Sequence, residues 1–305
     1  MPGLALPPVT PTITGGGVPV ATDLMRRRIN EAYRDLVHHR LGVPWMKVRP
    51  TDCFVTSFPR SGNTWMRYMI SNALDPEADR ELPELLDFMP MIDWRDAPTR
   101  LRKMDDTGIV PRLLMTHEPF RPYLLGGRTA YLLRDGRDAV VSYHHYRVNR
   151  NRMKISQSDY LRRSLAGRFR YGSWQAHVEG WWQQQDHPNV CIVRYEDMME
   201  NAALQLRRVL DHFGLEVPDD RVQFAVQRSS VERVSKGFTK VAAARRKQFS
   251  GGTGGGHGKW REKFSAEDLA LFMKHAGPML KTLGYASASS AGASSAGATT
   301  NATTV

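Results

Sequence analysis

The chain has 305 residues, 41% of them hydrophobic, and 43 Lys and Arg against 31 Asp and Glu give a formal charge of +12. That length suits one large α/β domain or two small ones, and two cysteines in apolar runs argue against a disulfide framework and for a reducing, cytoplasmic setting. No run approaches the roughly 18 apolar residues of a membrane span, and the basic excess favours an anionic partner without choosing between nucleic acid, an acidic membrane and a phosphorylated nucleotide.

In chain order, residues 1–22 are rich in Pro, Gly and Thr and read as a disordered tail. They hold no basic residue, so neither a secretory signal nor a transit peptide is expected. The folded domain is expected over 23–285. Its first strand is predicted at 52–57, and FVTSFPRSGNTW at 54–65 runs from that strand through Phe58, Pro59, Arg60, Ser61 and Gly62 into a helix over 62–73. Such a strand, turn and helix start form an anion cradle: open N–H groups and the helix dipole face the loop, glycine admits close approach, and a guanidinium and hydroxyls converge. The Gly-Lys-Ser/Thr of a Walker loop is missing. An ordinary βα turn with a surface arginine is the plainer alternative.

Residues 82–94, LPELLDFMPMIDW, form an apolar segment ahead of a strand predicted at 110–116, and His117 sits at that strand's carboxyl end. A strand at 128–133 leads to Arg134, a turn at Asp135-Gly136 and a helix over 136–147 carrying Ser142. A cation and a hydroxyl so placed can reach a second phosphate; alternatively Arg134 and Arg137 simply pair with Asp135 and Asp138. A helix at 173–185 and a strand at 189–195 follow. Leu204, Leu206, Val209, Leu210 and Phe213 then mark a helix over 197–213 that stops at Gly214. Arg245, Arg246 and Lys247 open a stretch dominated by Gly, Ser and Thr, a helix is expected at 266–281, and 286–305 reads as a low-complexity disordered tail.

Strands alternating with helical patterns predict an α/β fold with a parallel sheet and helices on both faces. Ligands in such folds bind beyond the carboxyl ends of the strands.

The segment 54–65 resembles the 5′-phosphosulfate loop of the cytosolic sulfotransferases, Tyr-Pro-Lys-Ser-Gly-Thr-Thr-Trp. YLLRDGRDAVVSYHHY at 131–146, YGSWQAHVEGWW at 171–182, VRYEDM at 193–198 and SSVERV at 229–234 match later family segments in order. RRKQFSGGTGGGHGKWREKFS at 245–265 is similar to the family's Arg-Lys-Gly loop followed by Gly-x-Trp, with more glycine. The resemblance implies a three-layer, P-loop-like domain that takes 3′-phosphoadenosine-5′-phosphosulfate (PAPS) as donor and releases 3′,5′-bisphosphoadenosine (PAP), with no metal.

The resemblance also implies roles. Ser61, Gly62, Asn63 and Thr64 hold the 5′-phosphate, and Trp65 stacks on the adenine near Tyr195. Arg134, Ser142, Ser230, Arg245, Arg246 and Lys247 complete the nucleotide site. His117, in LLMTHEP, matches the family's catalytic histidine, and Arg60 stands where the family has a lysine that neutralises the transferring sulfonate. Asn63 replaces a threonine of the family loop and Met115 replaces a lysine. Phe88 and Met89, with Phe58 and Tyr146, imply an apolar mouth for a small acceptor bearing a hydroxyl or amine; plain packing in the core is the alternative reading of the same apolar residues. Ser265 and Ala266 replace the Thr-Val of the family's dimer motif, which leaves a homodimer open. A small-molecule kinase is the rival enzyme class, opposed by the missing Gly-Lys-Ser/Thr. A nucleic-acid module would need exposed stacking aromatics, so nucleic acid is not an expected partner.

Overall fold

The computed structural model describes residues 46–285 except 79, 95, 109, 152 and 231–255. The tail readings 1–22 and 286–305, the domain boundary at 23 and the cations Arg245, Arg246 and Lys247 lie outside the described residues.

Four strands, β1 (Cys53–Ser57), β2 (Leu113–Thr116), β3 (Arg128–Leu133) and β4 (Val190–Arg194), form one sheet in the order β2-β1-β3-β4. All pairs are parallel, with Val55 opposite Met115 on one side and Ala130 on the other, and Ala130 opposite Cys191. Every residue of β1 is buried, as expected of a central parallel strand covered on both faces. The chain leaves β1 toward β2, then crosses back to β3, so the direction of winding reverses between β1 and β3. A crevice opens at the carboxyl ends of strands at such a reversal.

Alternation along the strands sorts the two faces. Cys53, Val55, Ala130, Leu132 and Val193 share a core with Met66, Met69, Ile70 and Ala73 of helix α1 (Asn63–Leu74). Phe54 and Tyr131 point the other way. There Tyr131 stacks on Trp181 at 5.3 Å and on His177 at 5.8 Å between ring centroids. Trp174, His177, Val178 and Trp181 recur at helical spacing, which turns one stripe of the helix Trp174–Trp182 onto the sheet. The three-layer α/β fold expected from the sequence is the one found.

Helices α2 (Leu82–Phe88), α3 (Ala97–Asp106), α4 (Gly136–Asn151), α5 (Gln157–Leu165) and α6 (Trp174–Trp182) precede β4. After it come α7 (Tyr195–Glu200), α8 (Ala202–Phe213), α9 (Asp219–Arg228) and α10 (Ala266–Thr282). All four predicted strands are present. The predicted helix over 197–213 is two helices, because Asn201 leaves helical geometry and its side chain caps α8 by accepting from Leu204 N–H at 3.0 Å. α2, α3, α5 and α9 were not predicted. α3 shows why: its sequence APTRLRKMDD buries only Ala97, Leu101 and Met104, too few apolar residues for a periodic signal.

No helix among the described residues is long and apolar enough to cross a membrane.

Candidate active site

Each strand ends at a residue the sequence analysis singled out. β1 runs into the turn bearing Arg60, β2 into His117, β3 into Arg134 and β4 into Tyr195.

The turn after β1 is held in an unusual backbone. Gly62 has φ 97°, and Arg60, at φ 70°, is the one non-glycine residue with positive φ among the described residues. Holding arginine there costs on the order of 1–3 kcal/mol, and strain of that kind gathers at working sites. A Cβ on Gly62 would come within 2.8 Å of the Tyr195 ring, so the turn and the end of β4 are pressed together. α1 begins at this glycine without a side-chain cap. Its first-turn N–H groups therefore face the crevice with the positive end of the helix dipole behind them.

Asn63 is turned back into the fold. Its amide donates to Val55 O at 3.1 Å and Ser57 Oγ at 3.3 Å, bracing the turn against β1. Trp65 meets Tyr195 edge to face at 6.1 Å, and Thr64, between Asn63 and Trp65, is half-buried.

Arg134 does not pair with the neighbouring carboxylates. Asp135 is taken by Arg137, with bonds of 2.7–3.1 Å, and Asp138 accepts from the backbone N–H of Gly258 and Trp260. Arg134 instead donates to Arg60 O and Gly256 O, each at 2.8 Å, and lies 4.3 Å over the Tyr195 ring. It makes no ion pair among the described residues. Gly136, where α4 starts, has no room for a Cβ, which would strike the Trp174 ring at 2.4 Å. Arg60 donates to Ser142 Oγ at 3.2 Å and lies 5.2 Å over Tyr146.

Ser61 Oγ, Trp65 Nε1 and Arg134 Nε are buried without a hydrogen-bond partner. Buried polar atoms are normally satisfied, and three donors left open around one turn suit an anionic, aromatic ligand such as a nucleotide bisphosphate. The donor set fits PAP. Ser230 stands exposed just past α9, next to Ser229, whose hydroxyl accepts from Asn72 of α1 at 2.8 Å.

His117 is fixed through Nδ1, which lies 2.8 Å from Ser57 O and 3.3 Å from Ser57 Oγ. A carbonyl oxygen only accepts, so Nδ1 carries the proton and Nε2 keeps its lone pair. His177 anchors the same residue from the opposite side. Its Nε2 donates to His117 O at 3.0 Å while Nδ1 accepts from the Tyr131 hydroxyl at 2.9 Å. Burial holds the His117 imidazole below its ordinary pKa; Asp93 and the Ser57 bond pull it up, and Arg67 and Arg60 push it down. Burial lowers His177 to about 3, so it stays neutral.

On the acceptor side, Phe58 is a core ring set edge-on against His177 at 5.5 Å and Tyr143 at 6.1 Å. Phe88 is partly buried beneath the Arg80 guanidinium. Met89 is fully buried in the sheet's core. Arg67, buried on α1, donates to the Leu85 and Met89 carbonyls at 3.1 and 2.7 Å and so ties the cradle helix to α2.

Arg67, Asp93, Tyr171 and His177 drew no role in the sequence reading. The signal available for His177 was a polar residue on the apolar stripe of WQAHVEGWW. Arg67 had none, because an arginine within a helix reads as exposed.

The sulfotransferase domain profile matches residues 50–284. Over 200 residues the chain is 31% identical to sulfotransferase 1A1 of Canis lupus familiaris, covering 62% of this chain and 67% of that one. Against sulfotransferase 1A1 of Bos taurus it is 29% identical over 251 residues, 74% of this chain and 82% of the relative. Among solved structures, retinol dehydratase in complex with androsterone and the inactive cofactor PAP superposes with a TM-score of 0.62 at 21% identity, covering 82% of this chain and 85% of that one. Mouse sulfotransferase SULT7A1 complexed with PAP gives 0.59 at 20% identity, over 77% and 86% of the two chains. With the domain profile matched almost end to end over the described fold, this chain belongs to the PAPS-dependent sulfotransferase family.

Proposed function

We propose that this enzyme moves a sulfonate from PAPS to a hydroxyl or amine of a small, apolar acceptor by in-line displacement, with His117 as base. The observation that carries the reading is the state of His117: Nδ1–H is committed to Ser57 O at 2.8 Å, which leaves Nε2 to take a proton.

PAPS, when bound, supplies an activated sulfonate on a phosphate leaving group. The N-terminal turn of α1 with Ser61, Gly62, Asn63 and Thr64 receives the 5′-phosphosulfate end. Arg134, Ser142 and Ser230 take the 3′-phosphate, joined by Arg245, Arg246 and Lys247 from outside the described residues. Trp65 and Tyr195 take the adenine. As the acceptor oxygen forms its bond to sulfur, His117 Nε2 takes the acceptor's proton. The S–O bond to the bisphosphate breaks, and its electron pair stays on the bridging oxygen. Arg60 neutralises the charge that grows there. Positioning and charge stabilisation carry most of the rate.

Phe58 and Met89 lie in the core, so the apolar character of the acceptor side rests on Tyr146 and the partly buried Phe88. Retinol dehydratase, a neighbour in fold, is described in complex with androsterone and with retinol, which supports an apolar acceptor here. A screen of phenols, alcohols and amines with labelled PAPS tests the reading. Label should pass to an apolar hydroxyl or amine compound. Transfer confined to highly polar acceptors would reject the apolar mouth, and tighter binding of ATP than of PAP in the same preparation would reject the donor assignment.

A further inference from the structure

A buried carboxyl group, Asp93, is tied through Tyr171 to the surroundings of His117. Asp93 follows a short segment bonded to β2: Met115 N–H donates to Pro90 O at 3.0 Å and Ile92 N–H to Met115 O at 2.8 Å. The strand that presents His117 therefore also fixes the backbone beside Asp93. The Asp93 side chain is buried at 5% exposure. Its Oδ2 accepts from the Tyr171 hydroxyl at 2.6 Å, and Oδ1 is buried with no partner. The Tyr171 ring in turn packs edge-on against the His117 ring, 5.5 Å between centroids. Arg170 donates to Asp93 O, on the backbone rather than the carboxylate. Asp93 makes no ion pair among the described residues.

A carboxylate buried without a cation is costly, so its place here calls for a reason. The groups around His117 suggest one. Arg60 comes from the turn after β1 and Arg67 from α1, and both cations oppose protonation of the ring. From α6 comes His177, held neutral, and from β3 the Tyr131 phenol. Glu118, the next residue, is held beside Arg121 at 3.9 Å. Asp93 is the anion whose field favours a protonated His117.

We propose that Asp93, held in place by Tyr171, is the counter-charge for the imidazolium that forms when His117 takes the acceptor's proton. The acceptor's O–H or N–H bond breaks, the Nε2–H bond forms, and a cation appears in the field of two arginines. Asp93 offsets that repulsion without touching the reacting atoms, so it is a positioning residue. The inference rests on His117 being the base.

Asp93→Asn separates this role from a structural one, because asparagine keeps the shape and an oxygen for Tyr171 while removing the charge. His117 is titrated in the full-length chain by ¹H–¹³C NMR of its ring, assigned with His117→Ala, and PAP affinity checks the fold. In Asp93→Asn the His117 midpoint should move to lower pH, the acid limb of kcat/KM should move with it, and plateau kcat should fall on the order of tenfold. Asp93→Glu should keep both near wild type, and Asp93→Ser supplies a second neutral variant should Asn misfold. An unmoved His117 titration and kcat in a neutral variant that still binds PAP would overturn the proposal while leaving His117 as base. Full turnover in His117→Ala would instead remove the base itself.

Discussion

Arg60 sits at φ 70° with its guanidinium on Ser142 and Tyr146, which separates two properties that one substitution can read. Arg60→Ala should lower kcat on the order of a hundredfold, because the charge it meets develops in the transition state. Arg60→Lys should retain much of the rate. Arg60→Gly relaxes the backbone, so it should match or exceed wild type in thermal stability while losing turnover like the alanine variant. Normal turnover in the glycine variant would contradict the charge role, and a glycine variant less stable than wild type would show the strain to be incidental. Arg134, held by two carbonyls and an aromatic face, gives a binding prediction. Arg134→Ala should weaken PAP by about 1.5–3 kcal/mol, the scale of a hydrogen bond to a charged group. It should leave 5′-AMP nearly unchanged. Calorimetry with both ligands decides, and equal losses would move Arg134 away from the 3′-phosphate.

The joined elements β1 and α1 carry the site, and Gly62 is where they meet β4. Gly62→Ala places a methyl 2.8 Å from the Tyr195 ring at a backbone angle that disfavours any side chain. It should cost about 1–3 kcal/mol in urea unfolding and weaken PAP as the turn shifts. Wild-type stability and PAP affinity together would refute that packing. At this scale the sequence was largely legible. Buried parallel strands are continuous apolar runs, so CFVTS, LLMT, RTAYLL and VCIVR stood out, and each strand end led directly to a site residue. α3 and α5 were not legible, because short helices bury few residues and draw their stability from capping and packing. Ser156, for example, caps α5 by accepting from Asp159 N–H. The break at Asn201 was hidden because the apolar spacing of α8 sets in only after it. In the candidate site, Arg60, Arg134 and His117 stood out at strand ends, and their proposed roles came from the resemblance. Asp93, Tyr171 and His177 meet this cluster through contacts between elements far apart in sequence, which no local pattern encodes.

For the whole molecule, His177 ties the fold to pH. Burial holds its folded pKa near 3, against the usual 6.5. A depressed pKa means the folded state resists the proton, so the stability from neutral His177 is fully present above about pH 6.5 and is lost as pH falls toward 3. His177→Gln keeps a donor for His117 O and an acceptor for Tyr131 without titrating. Its urea midpoint should depend less on pH than wild type's between 6.5 and 4, whereas parallel curves for the two proteins would mean His177 takes no part in acid unfolding.

The same histidine, bonded to the His117 carbonyl, links the stability of the sheet's second face to the placement of the base. The claim that this base takes the acceptor's proton is met most directly by one paired measurement on His117→Ala: PAP affinity by calorimetry, and transfer of labelled sulfonate to the best acceptor from the screen. PAP should bind within a few-fold of wild type while turnover falls by a factor of a hundred or more, since general-base catalysis contributes about 10²–10⁴ in rate. Turnover near wild type, or PAP binding lost together with turnover, would contradict His117 as the base.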